Sequence, residues 1–471
     1  MDSPHPRTAP VFAAFVTMLV LAALDQTILS TAVPAITREL HGTDRLSWLF
    51  SAYLMASTVA IPLYGRLADL HGSKPLLLTA VSLFLAGSLA GGASQTMEQL
   101  IVARAVQGSG AGGLMTLTLL GLGDLVPRDE VPRRQGLLGA AYGVSTMFGP
   151  LLGGVLVEHG SWHWTFLVNV PLAATALAVI AWGLPHTSRA KLPQGQRVDL
   201  PGAALLAATL VALLLATRRD VEAATAWMLL ALGIKLAAVL VVQQRRSRHP
   251  IVPPTLFAQP AFAVAAALSA VAGVALFAAV VFLPVYLQTV LHLAPTASAW
   301  HLLPLMAGIT MAAIACGRAL RSGAPVRGIA VAACALMASS FVALASVFRL
   351  APTSPLALSA CVLPLGLGIG LLFPPVTMLS QRVAPRQHVG AATAAPIMLR
   401  ALGGALGVSA LGALLAQQIG AQMGAAHEAY GSAFAGAVQP LFGAVAALCA
   451  LAALAAALLP VRAPAPQPLP A

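Results

Sequence analysis

Fourteen residues of the chain are acidic, and Asp25 alone lies well inside an apolar run; the others fall in polar segments or near the ends of such runs. A carboxylate in hydrocarbon is expensive and by default marks a site of proton or ion chemistry. Counted from Val11 at about 1.5 Å per residue, Asp25 stands roughly 21 Å along its run. The run that carries Arg104 is traversed in the opposite sense from Glu98, which sets the arginine about 9 Å in, at a depth close to that of Asp25. Two chemistries fit this pair. In one, the arginine sets how readily the carboxylate takes a proton; in the other, the two form a static ion pair that fixes helix packing.

Arg104 and Gln107 are followed by Gly108, Gly110, Gly112 and Gly113. Four glycines in six residues strip side chains from one stretch of helix and admit another helix or a ligand at close range. A nucleotide-binding glycine loop would need a strand before it, and none is indicated. The next run carries Gly136, Gly139 and Gly143, then Gly149-Pro150-Leu151-Leu152-Gly153-Gly154, where proline removes a helical hydrogen bond and glycine allows a bend. Elsewhere Arg400, followed by Gly403, Gly404 and Gly407, stands near mid-run as a cavity-lining candidate or a packing residue, and Gln107 and Gln288 are the other two cavity-lining candidates. Lys235 is expected to reach toward an interface. His301 is expected at an interface too. The four cysteines, Cys316, Cys334, Cys361 and Cys449, lie in apolar segments without CxxC spacing and read as packing residues. No metal-ligand spacing, cofactor motif or Ser/His/Asp set supports an enzyme.

The elements that must hold these residues follow from composition. Of 471 residues, 59% are hydrophobic and 8% charged, and mean hydropathy is +0.87. Soluble domains carry about 25% charged residues, and disordered chains and coiled coils lack this apolar content. The chain is therefore an all-helical, multi-pass membrane protein. Apolar runs at 11–36, 46–65, 76–95, 98–121, 135–157, 163–185, 200–217, 226–244, 261–287, 297–317, 328–348, 355–378, 389–416 and 440–460 give fourteen expected spans. The net charge of +12 reflects basic residues in short loops, a topological signal and not a nucleic-acid surface. With a cytoplasmic N-terminus, eighteen basic residues fall on the inside and five on the outside, so both termini are expected to be cytoplasmic. Arginines outnumber lysines by 23 to 3 and alanine is abundant, which fits a GC-rich bacterial genome and an inner membrane.

The loop Gly65-Arg66-Leu67-Ala68-Asp69-Leu70-His71-Gly72-Ser73-Lys74-Pro75 is echoed by Gly317-Arg318-Ala319-Leu320-Arg321-Ser322-Gly323. With the seventh and eighth spans set aside as an insertion, the two loops occupy equivalent places in two six-helix halves, the repeat logic of secondary transporters. The expected division is a tail at 1–10, a six-helix bundle at 11–185, a linker with two extra helices at 186–260, a second bundle at 261–460 and a disordered proline-rich tail at 461–471.

From about residue 11 to 416 the chain resembles the fourteen-span drug/proton antiporters of the major facilitator superfamily. Leu24-Asp25-Gln26-Thr27-Ile28 with Ala32-Val33-Pro34 is similar to the family's first-helix motif, whose Asp is linked to proton coupling. Gly65, Leu67, Asp69, Gly72 and Lys74 match its signature loop, with Leu70 and Ser73 where basic residues are usual. Arg104 and Gln107-Gly108 match the fourth-helix motif, whose Arg is implicated in proton transfer. Gly136 and the Gly149–Gly154 segment match the antiporter motif, with Ser145 in place of one glycine. Trp162-His163-Trp164-Thr165-Phe166 with Asn169-Val170-Pro171, and Leu283-Pro284-Val285-Tyr286-Leu287-Gln288, are similar to segments of the fourteen-span branch.

The resemblance implies two six-helix bundles working by alternating access. It implies export of small lipophilic compounds against protons, with Asp25 and Arg104 in coupling. Asp69 is expected to stabilise one conformation by meeting a helix N-terminus or an arginine such as Arg133 or Arg134. Partners implied are a small lipophilic substrate, protons and the bilayer, with a periplasmic adaptor and outer-membrane channel admissible. A single membrane carboxylate admits one proton per exported molecule, which favours neutral or monovalent substrates over dications. Export of a specific neutral metabolite or lipid is the alternative within transport, and a non-transporting membrane sensor the alternative outside it.

Overall fold

The structure is a computed structural model; it describes residues 8–40, 46–127, 130–185, 199–216, 221–247, 250–251, 253–293, 295–350, 354–422 and 430–459. Residues 1–7 of the expected first tail, the whole expected second tail and several loop arginines lie outside these residues, while Thr8, Ala9 and Pro10, expected in the first tail, open the first helix. The described elements are helical throughout, because a backbone in hydrocarbon must satisfy its own N–H and C=O groups within the segment. In order they are α1 (Thr8–Leu40), α2 (Leu46–His71), α3 (Ser73–Gly92), α4 (Met97–Leu125), α5 (Val131–His159), α6 (Trp164–Leu167), α7 (Asn169–Gly183), α8 (Leu200–Ala216), α9 (Ala223–Arg246) and α10 (Pro254–Phe257). There follow α11 (Pro260–Thr289), α12 (Pro295–Trp300), α13 (Leu303–Arg321), α14 (Val326–Leu350), α15 (Pro355–Val383), α16 (Val389–Gln422) and α17 (Tyr430–Ala456).

Each of the fourteen apolar runs carries a helix, and among the described residues eleven helices are long and apolar enough to cross a membrane. The helices outside that eleven are physically intelligible. Helix α8 has 17 residues, and α4 and α5 are diluted by glycine. Two runs are also broken: 163–185 into α6 and α7, and 297–317 into α12 and α13, the latter restarting at Pro304 in the first turn of α13. Helix α5 runs unbroken through Pro150.

The chain forms two compact units. Among the described residues, the first comprises those up to Ala258 together with Ala384–Met398, and so includes the first turns of α16; the second comprises Gln259–Val383 and those from Leu399 onward. In the first unit, α4 packs against α2 and α3, and α1 against α5. Phe15, Met18, Leu77, Phe84, Leu114, Leu117, Leu138 and Ile180 form its central core. In the second unit α13 packs on α15, and α14 on α17 and α15, with Phe341 and Phe442 in edge-to-face contact. The echoed loops share a backbone feature: each turns on a left-handed glycine, Gly72 at φ 82° and Gly323 at φ 85°, a region that costs residues with a Cβ but not glycine.

Helices α8 and α9 pair with each other. Asp199 closes one end of this pair: its Oδ1 accepts from the Gly202 N–H at 2.9 Å and from Gln243 Nε2 at 2.8 Å, and its Oδ2 from Gln244 Nε2 at 3.1 Å. Burial alone would push this carboxyl up, but the bonds from Gln243, Gly202, Ser247 and Gln244 together hold it below the usual carboxylate range. Asp199→Ala should therefore cost about 1–2 kcal/mol as a lost cap with lost charge-assisted bonds, read as a fall of a few degrees in the melting temperature of the detergent-solubilised protein. An unchanged melting temperature would show that the pair does not depend on this carboxylate.

Candidate functional site

Helices α2, α3 and α4 of the first unit pack closely because glycine lets them approach, and α4 supplies the side chains that meet Asp25 of α1. A Cβ at Gly108 would fall on the Tyr53 carbonyl and one at Gly112 on the Ser57 carbonyl, both of α2. A Cβ at Gly110 would meet the backbone of Ala80 and Phe84 on α3, and Gly87 of α3 lies against the Gln107 backbone. Helix α4 is thus seated backbone to backbone between α2 and α3, and this fixes the base from which Arg104 and Gln107 project. On the other flank, Gly149 of α5 leaves room for the Thr27 side chain of α1, two residues beyond Asp25.

Asp25 is 1% exposed. Its Oδ2 accepts from Arg104 Nη1 at 2.7 Å. Its Oδ1 accepts from Gln107 Nε2 at 2.7 Å and from Asn169 Nδ2, at the start of α7, at 3.2 Å. Gln107 closes the circuit: its Oε1 accepts from Arg104 Nη1 at 2.8 Å, and its amide donates to Ser88 Oγ at 2.9 Å. Arg104 also donates to the Leu49 carbonyl at 3.4 Å and lies 4.0 Å over the Tyr53 ring. A buried ion pair keeps its charges only when the remaining donors and acceptors are satisfied, and this network supplies that. Chemically it is a carboxylate held out of solvent with both of its oxygens occupied by side-chain donors.

Depth counting finds the Asp25–Arg104 pair, but the rest of the network departs from expectation. Gln107, a cavity-lining candidate, is fully buried, because both ends of its amide are held by the ion pair. Asn169, Ser88 and Tyr53 were not legible as site residues. The signal for Asn169 was its place in Asn169-Val170-Pro171, a polar residue opening an apolar helix.

A second constellation surrounds the loop after α2. Asp69 Oδ1 accepts from the Gly390 N–H at 2.6 Å and Oδ2 from the Ala391 N–H at 3.1 Å, so the carboxylate meets the N-terminus of α16, where free N–H groups and the helix dipole favour a negative charge. The approach depends on glycines: a Cβ at Gly65 would lie 2.6 Å from the Ala394 Cβ and 2.7 Å from the Gly390 carbonyl. The first of the two expected contacts, a helix N-terminus, is present. Arg134 instead bonds Glu130 at 3.1 Å across one helical turn, a local partner that needs no other element, and Arg133 is exposed. Lys74 is buried at 7% exposure where α3 begins. Just before α16, burial and then the nearby Arg66 hold the His388 imidazole down, to about 4, so it is neutral at pH 7 and adds no positive charge beside the helix end.

Gly136 and Gly153 are buried on α5, while a Cβ at Gly154 would meet open space. In the second unit the Arg400 guanidinium lies 4.4 Å over the Phe373 ring. Gln288 is exposed near the end of α11 and donates to Ser298 Oγ at 2.9 Å. His301 shares a hydrogen bond with Ser359 at 2.6 Å.

An all-helical, multi-span chain with a buried carboxylate–arginine pair and a helix-capping loop carboxylate has the architecture of a secondary transporter. The model of the Major Facilitator Superfamily matches residues 15–408, and the chain belongs to that family. Among relatives, the uncharacterized MFS-type transporter Rv1877 of Mycobacterium tuberculosis is 34% identical over 88% of this chain and 61% of its own length. The multidrug transporter protein MdtP of Bacillus subtilis is 29% identical over 84% of this chain and 73% of its own. The chain thus spans less than two thirds of the mycobacterial relative. The proton:xylose symporter XylE superposes with a TM-score of 0.65 at 12% identity, covering 95% of each chain, which shows the shared fold.

Proposed function

We propose that this protein exports small lipophilic compounds in exchange for protons, crossing a bacterial inner membrane fourteen times with both termini in the cytoplasm. The observation that carries the reading is the dry Asp25–Arg104–Gln107–Asn169 network, the one place among the described helices where a carboxylate is buried deep in a span. The name of the multidrug relative supports the substrate class. In alternating access, protonation of Asp25 would release the hold of Arg104, Gln107 and Asn169 and bias the transporter toward one state. Two six-helix bundles with α8 and α9 as an inserted pair are the working division. The test is purified protein in liposomes, with a pH gradient imposed across the membrane and a panel of lipophilic compounds. Gradient-dependent movement of at least one compound, with matching proton flux, is expected, and its absence across the panel would remove the proposal.

Asp69 acts in the same reading as a clasp on α16. Asp69→Asn removes the charge that two backbone N–H groups address, a loss of about 1–2 kcal/mol, which shifts a two-state balance roughly tenfold. Cysteines placed at the two mouths should change their labelling ratio accordingly while substrate affinity is kept. An unchanged labelling pattern together with lost binding would place Asp69 in the substrate site instead.

A further inference from the structure

Along α1, Asp25 stands between two apolar cores of the first unit. On one side is the central core described above, to which Met18 and Leu21 belong. On the other is a smaller cluster, in which Leu29, Ala32 and Ile36 of α1 and Leu100 of α4 close around Trp162 and Phe166. With the topology proposed above, this neck separates the ion pair from the outside of the cell, the face from which protons would enter. An apolar constriction of this kind passes neither water nor protons until its lining moves apart.

A tryptophan near the end of a span ordinarily leaves its indole N–H to the wet interface. Trp162 is instead 2% exposed. Its ring stands edge-on to that of Phe166, with centroids 6.2 Å apart, and its Nε1 donates to Glu39 Oε2 at 2.8 Å. Glu39 is exposed near the end of α1, so a carboxylate at the mouth holds the largest side chain of the neck. Further in, the Phe166 ring lies 6.0 Å from the Arg104 guanidinium carbon, and a Cβ at Gly91 of α3 would fall 2.7 Å from that ring. The base of the plug is rigid. The Trp162 carbonyl accepts from the Thr165 N–H at 3.0 Å and from Thr165 Oγ1 at 2.6 Å, and the Val168 N–H donates to the Trp164 carbonyl at 3.0 Å. Trp162 to Asn169 is thus one short bonded stretch: its first residue fills the neck and its last donates to Asp25.

We propose that Trp162 is the plug that governs proton access to Asp25 from the outer mouth, and that Glu39 is the positioning residue that holds it shut. The proposal rests on the proton-exchange reading above and adds the route by which the proton arrives. When the indole leaves Glu39, the neck opens and water reaches the ion pair. Because Asn169 travels on the same stretch, access to the carboxylate and the hydrogen bonding of its Oδ1 change together.

The test uses the full chain with its four native cysteines changed to alanine and a reporter, Leu29→Cys, placed inside the neck one turn beyond Asp25. In liposomes of known orientation, a membrane-impermeant methanethiosulfonate is added from the outer face and the labelling rate is measured. Glu39→Ala removes one hydrogen bond and should raise that rate by about fivefold; Trp162→Ala removes the plug itself and should raise it further. Trp162→Phe keeps a ring in the neck but loses the N–H, so it should match Glu39→Ala and restore most of the closure lost in Trp162→Ala. Combining Trp162→Phe with Glu39→Ala should add nothing, because both break the same bond. Outer-face labelling at the parent rate in Glu39→Ala or Trp162→Ala would overturn the proposal, and so would additive effects in the double variant. Glu39 is exposed, so Glu39→Ala and Trp162→Phe decide the matter even if Trp162→Ala does not fold. Labelling needs neither substrate nor pH gradient, so it judges the plug separately from the export reading, which fails only if the parent protein moves no compound.

Discussion

Asp25→Asn reduces proton-driven export to the background of empty liposomes, while the variant still reaches the membrane. The amide keeps an oxygen for Arg104 but has no proton to gain or lose at working pH, and no other described helix holds a carboxylate at that depth to substitute for it. The variant also leaves the buried Arg104 cation uncompensated, which costs about 3 kcal/mol, so its melting temperature should fall. The informative partner is the double variant Asp25→Asn with Arg104→Gln. It removes both charges and should recover thermal stability without recovering transport. If the double variant regained both, the pair would be a packing device and coupling would reside elsewhere. Proton-driven export by Asp25→Asn at the wild-type rate would have the same meaning.

The second large effect is structural. Gly110→Val should leave almost no folded protein, because the new side chain would meet the α3 backbone at Ala80 and Phe84, and backbone in a packed bundle cannot step aside as a side chain can. Overpacking against yielding neighbours costs about 1–3 kcal/mol, and this site has none that yield. Gly123→Ala on the same helix is the control: nothing lies within 4 Å of its would-be Cβ, and alanine is the better helix former by about 1 kcal/mol. Size-exclusion profiles of the two solubilised variants should diverge, with Gly110→Val aggregated and Gly123→Ala monodisperse and at least as thermostable as the parent. A monodisperse Gly110→Val would mean that α4 is not wedged between α2 and α3.

These cases also show what sequence reasoning can reach. Helix positions were legible because an apolar run of sufficient length leaves the backbone one way to satisfy itself. The depth match of Asp25 and Arg104 was legible because rise per residue is a constant. The remainder depends on which helix faces which, and no local spacing encodes that. Asn169 meets Asp25 across 144 positions, and Asp69 meets Gly390 across 321. Arg134 shows the converse, a bond within its own helix to Glu130 four residues away, which sequence spacing alone makes available. Glycine carried more information than its bland chemistry suggested, since Gly108, Gly110 and Gly112 announce close approach without saying to whom.

The paired turns at Gly72 and Gly323 bear on the history of the molecule. If the halves descend from one duplicated segment, the trait retained at both turns is handedness: each backbone passes through the region that only glycine enters freely. Side-chain chemistry was not retained. The first copy has Asp69 to cap a helix, whereas the second, Gly317 to Gly323, holds arginines and no acid. Chirality at a turn is a constraint on shape and must be kept in every copy for the chain to reverse direction. A carboxylate clasp is a constraint on function and can be kept in one copy alone. Asymmetry between the halves thus lies in a carboxylate present in one copy and absent from the other, within a shared curve of the chain.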